Sequence, residues 1–214
     1  MKYLGVIIFS FAVCQVMGFV SEPYDLLSAT FHTPAMRAIT KMLRSKCQNK
    51  TVELEEKIKG LKDCYLEIKE TETICSVMKD RLTRCLNPLA DFMHKCVEST
   101  KYADVPQFTL EIFNSVTNYV CQTKGEKLIE LLHPCLVTLG YEKHRMCMKS
   151  FEQKLSNIEK DDTIKNVKTD ICKSLEKTKT CFLREFKSVC HNDVTLNSAV
   201  GFYDAVITKP CKHI

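Results

Sequence analysis

The sequence predicts an all-α protein, a disulfide-stapled multi-helix bundle of repeated helical hairpins. Three observations predict it. Apolar residues recur at helical steps of three and four, and no segment alternates over enough residues to make a strand. Six glycines, six prolines and no tryptophan occur in 214 residues, a composition that favours helices over a β-sandwich. Thirteen cysteines are spread along the chain at wide intervals, none of them in a close CxxC pair.

The chain opens with Met1, Lys2 and a nearly unbroken apolar run from Leu4 to Val13. Val16 and Gly18 then stand at the two positions a signal peptidase reads before its cut. Residues 1–18 are therefore a secretory signal, cleaved between Gly18 and Phe19. A membrane anchor is the rival, but the run is shorter than the roughly 20 apolar residues that cross a bilayer. No later segment is apolar enough to span one. Residues 19–46 form an N-terminal lead-in and first helix, and residues 47–214 a cysteine-rich helical domain. In the first of these, Thr33-Pro34 is a cap followed by proline at the first helical position. Met36, Ile39 and Leu43 supply its apolar face. Asn49-Lys50-Thr51 is a glycosylation sequon, so Asn49 is expected to carry a glycan.

From Thr51, Leu54, Ile58, Leu61, Tyr65 and Ile68 mark one helix face. Gly60 inside that run suggests close packing against a neighbour. Thr71 to Thr73 offers a break and a cap, and Ile74, Val77, Met78 and Leu82 lead to Cys85. Asn87-Pro88 repeats the cap-and-proline start, with Leu89, Phe92 and Met93 after it. Glu98 to Pro106 is polar and reads as a loop. Phe108, Ile112, Phe113, Val116, Tyr119 and Val120 then form the most hydrophobic helix, expected to stop at Gly125. Leu128, Ile129, Leu131 and Leu132 rebuild an apolar face before Pro134 opens a further segment. Met148, Phe151, Leu155 and Ile158 make another stripe. Asp161, Asp162 and Thr163 place acids where a helix start prefers them, ahead of Ile171, Leu175, Phe182, Phe186 and Val189. Asp193 is expected to cap the last helix, with Leu196, Val200, Tyr203 and Ile207 inward.

Cys14 leaves with the signal. Cys47, Cys64, Cys75, Cys85, Cys96, Cys121, Cys135, Cys147, Cys172, Cys181, Cys190 and Cys211 remain, an even set that implies a disulfide framework of six bridges in an oxidising compartment. One unit recurs four times, a cysteine followed by a bulky apolar residue and a second cysteine further on. It occurs at Cys64-Tyr65 to Cys75, Cys85-Leu86 to Cys96, Cys135-Leu136 to Cys147 and Cys181-Phe182 to Cys190. The triplets Cys75/Cys85/Cys96, Cys121/Cys135/Cys147 and Cys172/Cys181/Cys190 begin about every 50 residues, which suggests repeated hairpins. Cys172 and Cys181 would lie about 13.5 Å apart on one straight helix, whereas a disulfide needs Cα atoms within about 7 Å. Bridges must therefore join different helices or span a bend. Spacing leaves the pairing open.

The chemistry-bearing residues do not assemble into an active site. A zinc site would need close pairs of thiolates. His94, His133, His144, His191 and His213 sit near cysteines on separate segments, as solvent-facing histidines at helix ends do. Cys190-His191-Asn192-Asp193 faintly resembles a secreted phospholipase motif, but the doubled cysteine and the glycine-rich calcium loop are missing. No GxSxG, HExxH or P-loop occurs. The formal charge is +5, and lysines alternate with glutamates instead of forming a basic stripe, so nucleic acid is not an expected partner. We therefore expect no enzyme, no cofactor and no metal. Phe108, Phe113, Phe182 and Phe186 either fill the core or line a cavity for a small hydrophobic ligand. An extracellular protein is the other candidate partner.

Beginning at Cys75, the cysteine order resembles that of the insect hemolymph glycoproteins of about twenty-seven kilodaltons. The residues that carry the likeness are Val120-Cys121 with Gly125-Glu126, Pro134-Cys135-Leu136, Lys179-Thr180-Cys181 and Lys209-Pro210-Cys211. The likeness covers roughly Cys47 to Cys211. The interval from Cys121 to Cys135 departs from the family pattern, lacking its glycine before the proline. The resemblance implies a secreted protein of hemolymph, or of a gland product such as saliva or venom, and no catalytic residues.

Overall fold

A computed structural model gives the architecture and describes residues 47, 50–67, 71–137, 141–161, 163 and 166–212. The expected signal, the lead-in with its first helix, the Asn49 sequon and His213 lie outside these residues. Among the described residues all regular structure is helical: α1 (Thr51–Leu66), α2 (Ile74–Ser76), the wider-wound π1 (Val77–Leu82), α3 (Thr83–Val97), α4 (Val105–Gln122), α5 (Gly125–Glu130), α6 (Pro134–Val137), α7 (Tyr141–Lys160), α8 (Val167–Val189), α9 (Asp193–Tyr203) and π2 (Asp204–Thr208). No helix among them is long and apolar enough to cross a membrane.

Side-chain caps open three of the helices. Thr73 caps α2 by accepting from the Ser76 N–H at 3.2 Å. The side chain of Asn166 accepts from Thr169 N at 3.0 Å to open α8. The side chain of Asn192 accepts from Val194 N at 2.9 Å to open α9. A short polar side chain there satisfies a donor that the helix leaves without a partner. The last helix is thus capped one residue before Asp193, which instead places its charge in the first turn.

Four other expectations are corrected. Pro88 lies inside α3 and starts no helix. Leu82, Cys85, Leu89 and Phe92 share one buried cluster across it, and their burial outweighs the bond the proline removes. Gly125 opens α5; α4 has already ended at Gln122, where Thr123 turns extended and its N–H reaches Tyr119 O at 2.9 Å. Asp161 begins no helix, because its carboxylate accepts from the Thr163 N–H and hydroxyl at 2.9 and 2.6 Å in a local turn. Gly60 has open space where a side chain would stand, and the close approach is at Gly201, where an added Cβ would lie 3.1 Å from the Tyr119 ring.

Two cores result. The first gathers Leu54, Leu61, Leu82, Leu89 and Phe92 from α1, π1 and α3, together with Phe113 of α4. The second gathers Phe108, Ile112, Val116 and Val120 of α4 with Phe151 and Ile158 of α7, Ile171, Leu175, Phe182 and Phe186 of α8, and Phe202, Tyr203, Val206 and Ile207 from α9 and π2. Helix α4 therefore serves both. Phe182 stacks on Phe186 and Tyr203 with ring centroids 6.1 and 5.5 Å apart. Val189, expected to face inward, is 38% exposed at the end of α8.

Candidate functional site

The twelve cysteines form six pairs with Cα atoms 5.4–5.9 Å apart: Cys47–Cys96, Cys64–Cys85, Cys75–Cys121, Cys135–Cys190, Cys147–Cys181 and Cys172–Cys211. No bridge joins the two cysteines of any recurring unit. Cys172 and Cys181, both on α8, reach separately to Cys211 and Cys147. The six bridges fall into two sets with one wiring. Numbered in order within Cys47–Cys121, the first cysteine joins the fifth, the second the fourth and the third the sixth. Cys135–Cys211 repeats that wiring.

Each set builds the same object. The inner of two nested bridges joins α1 to α3 in the first half and α7 to α8 in the second, at chain separations of 21 and 34. The outer one runs from Cys47 just before α1 to α3, and from Cys135 on α6 to Cys190 just past α8, at separations of 49 and 55. The third bridge ties on the element that follows, Cys75 of α2 to Cys121 near the end of α4 and Cys172 of α8 to Cys211 just past π2, at separations of 46 and 39. The hairpin repeat is therefore twofold, and the triplet Cys121/Cys135/Cys147 straddles its boundary. Spacing concealed this because intervals between matched cysteines differ between the halves.

No bridge crosses from one module to the other; packing and polar contacts join them. Tyr119 of α4 stands edge-on to Phe202 of α9 at 6.1 Å, and its hydroxyl donates to Ser198 O at 3.0 Å. Desolvation holds the Tyr119 phenol above its ordinary pKa, opposed by a hydrogen bond with Thr123. Lys101, in the loop before α4, donates to Ile158 O at 2.8 Å and Asp161 O at 2.7 Å, so the first module's ammonium caps the carbonyl end of α7 in the second. Beside it Asn166 donates to Asp104 at 3.0 Å and Lys168 pairs with Glu111 at 2.9 Å. Within the second module Lys179 bonds Asp204 at 2.7 Å and also reaches Thr208. Burial pushes the Asp204 carboxyl up, but Lys179 and Thr208 outweigh it and leave that carboxyl below its ordinary value. Sequence reasoning named Lys179 only for the family likeness and Tyr119 only as an apolar position, and it gave none of the lysines a polar partner, since each looks like any other on an exposed helical face.

The described histidine side chains of His94, His133 and His191 have separate surroundings. His94 Nδ1 lies 2.9 Å from Ala103 O, His133 Nδ1 lies 3.1 Å from Cys135 Sγ, and His191 is exposed just after α8. Among the described residues no group of three or more histidines, cysteines or acids is placed to hold a metal ion. Of the four candidate cavity phenylalanines, Phe113 belongs to the first core and Phe108, Phe182 and Phe186 to the second.

Fold and wiring define a class, the disulfide-braced all-α proteins, here built as two modules of three bridges each. Residues 69–211 match the family described as protein of unknown function (DUF1397), and the chain belongs to that family. No curated protein and no solved structure matches it.

Proposed function

We propose that this is a secreted, non-enzymatic helical scaffold of insect hemolymph or of a gland secretion such as saliva or venom, acting by presenting a rigid surface to an extracellular partner. The observation that carries this reading is that every cysteine from Cys47 to Cys211 sits in a bridge. Such a framework persists in oxidising compartments, and a bridged thiol is no nucleophile. The leader-like residues 1–18 and the likeness to the hemolymph glycoproteins support the same setting. The test is alkylation of the purified protein in denaturant without reductant, with mass spectrometry of body fluid and gland secretions. Unlabelled cysteines and recovery of the mature chain from fluid are expected. Labelling at many cysteines, or a chain found only inside cells, would overturn the proposal. An extracellular carrier of a small hydrophobic ligand is the alternative, favoured if native mass spectrometry finds a co-purified lipid.

A further inference from the structure

The stretch between Cys121 and Cys135 is the only part of the chain from Cys47 to Cys211 that no bridge spans. Its regular structure is limited to the six residues of α5 and the four of α6, with the Lys124 carbonyl accepting from Lys127 N at 3.0 Å where α5 begins. Thr123 and Lys124 are extended, with φ/ψ of −84°/136° and −60°/141°. Lys124, Gly125, Glu126 and Lys127 are all exposed. Gly125 has nothing within 4 Å of where a side chain would stand, and the six residues of α5 include none that is buried. Endopeptidases take their substrates as extended, accessible chain, and weakly buried surface connections are where nicking concentrates. Thr123 and Lys124 already hold that conformation, with a lysine before the bond and an unhindered glycine after it.

Among the described residues, several other lysines are worse placed. Lys127 lies within α5. Lys101 is held by two carbonyls, Lys143, Lys168 and Lys179 are ion-paired on helices, and Lys209 precedes a proline.

We propose that the Lys124–Gly125 bond is a processing site for an extracellular serine endopeptidase whose acidic specificity pocket takes lysine. Water adds across the amide: the Lys124 carbonyl carbon becomes a carboxylate and Gly125 leaves as a free amine. The product is two disulfide-closed modules with no covalent link. They stay together because Phe108, Ile112, Val116 and Val120, on the helix tied to the first module by Cys75–Cys121, lie in the second module's core. The proposal rests on the bridged, extracellular reading above.

The test is limited trypsin digestion of the oxidised full-length protein. The first cut is expected to give one fragment ending at Lys124 and another beginning at Gly125. These should elute as one species under native conditions and separate on a denaturing gel without reductant. Lys124→Gln should abolish that first cut, and protein recovered from the natural fluid should include chains beginning at Gly125. A first cut elsewhere, unchanged cleavage of Lys124→Gln, fragments that separate only with reductant, or natural material without a Gly125 terminus would each overturn the proposal. Alkylation beforehand distinguishes the two failures. Free thiols defeat the disulfide reading itself, whereas bridged protein cut elsewhere defeats only the processing site.

Discussion

Replacing Phe108 and Phe113 separately with alanine tests whether α4 belongs to both modules. Five residues at 3.6 per turn set these rings about 140° apart around the helix. Phe108 is fully buried among residues of α7, α8 and π2, while Phe113 is buried against α1 and α3. Truncating a buried phenylalanine to alanine costs about 3–5 kcal/mol. Phe108 also carries the Lys168 ammonium 5.5 Å from its ring centre, a contact worth about 0.5–1 kcal/mol. Both variants should therefore lose a large part of the about 5–15 kcal/mol typical of a domain, Phe108→Ala slightly more. Urea unfolding gives the totals, and hydrogen exchange tells the faces apart. Phe108→Ala should speed exchange in α7, α8 and π2, and Phe113→Ala in α1 and α3. Losses below about 1 kcal/mol, far under the usual range for this truncation, would refute the two-core account. So would identical exchange patterns.

Three further outcomes are expected. Lys101→Met removes two charge-assisted bonds at the end of α7 and should cost about 1–2 kcal/mol, with faster exchange near Ile158; unchanged exchange there would remove the clasp from the account. Replacing Cys172 and Cys211 together with serine opens a bridge at a chain separation of 39. Chain entropy sets that loss at about 4 kcal/mol, read as a lowered urea midpoint, and a midpoint equal to wild type would argue against the pairing. Burial holds the Tyr203 phenol well above its ordinary pKa, while in the unfolded chain it ionises at about 10. Its contribution is complete below that value and is lost as pH rises toward the folded one, by up to about 1.4 kcal/mol per pH unit. Tyr203→Phe should flatten the alkaline fall of stability, and an equally steep fall would show that other groups cause it.

The helices were legible where burial and periodicity coincide. Phe108, Ile112, Val116 and Val120 step by four, and the structure buries all of them. Phe182 and Phe186 on α8 behave alike. Boundaries were harder, because a proline or glycine signals a break only when nothing stronger opposes it. At Pro88 the shared burial of Leu82, Cys85, Leu89 and Phe92 opposes it; at Gly125 the chain has already turned at Thr123. Phe202, Ala205 and Val206 escaped the reading of the last helix although all are buried. Ala205 and Val206 lie in π2, whose wider winding breaks the three-and-four rhythm. Cysteine pairing was out of reach for a different reason: it depends on which helices meet, and one-dimensional intervals do not record that.

The repeated wiring also bears on how the molecule acquires its crosslinks. Six thiols can be joined in 15 ways, whereas the same counting for twelve gives roughly ten thousand. A chain synthesised from its N-terminus presents Cys47 to Cys121 before Cys135 exists, so the first half can reach its final arrangement with no thiol from the second to mislead it. The later half then faces a search of the same small size, beside a neighbour whose sulfurs are already committed. Sorting by order of synthesis thus turns one very large oxidation puzzle into two small ones.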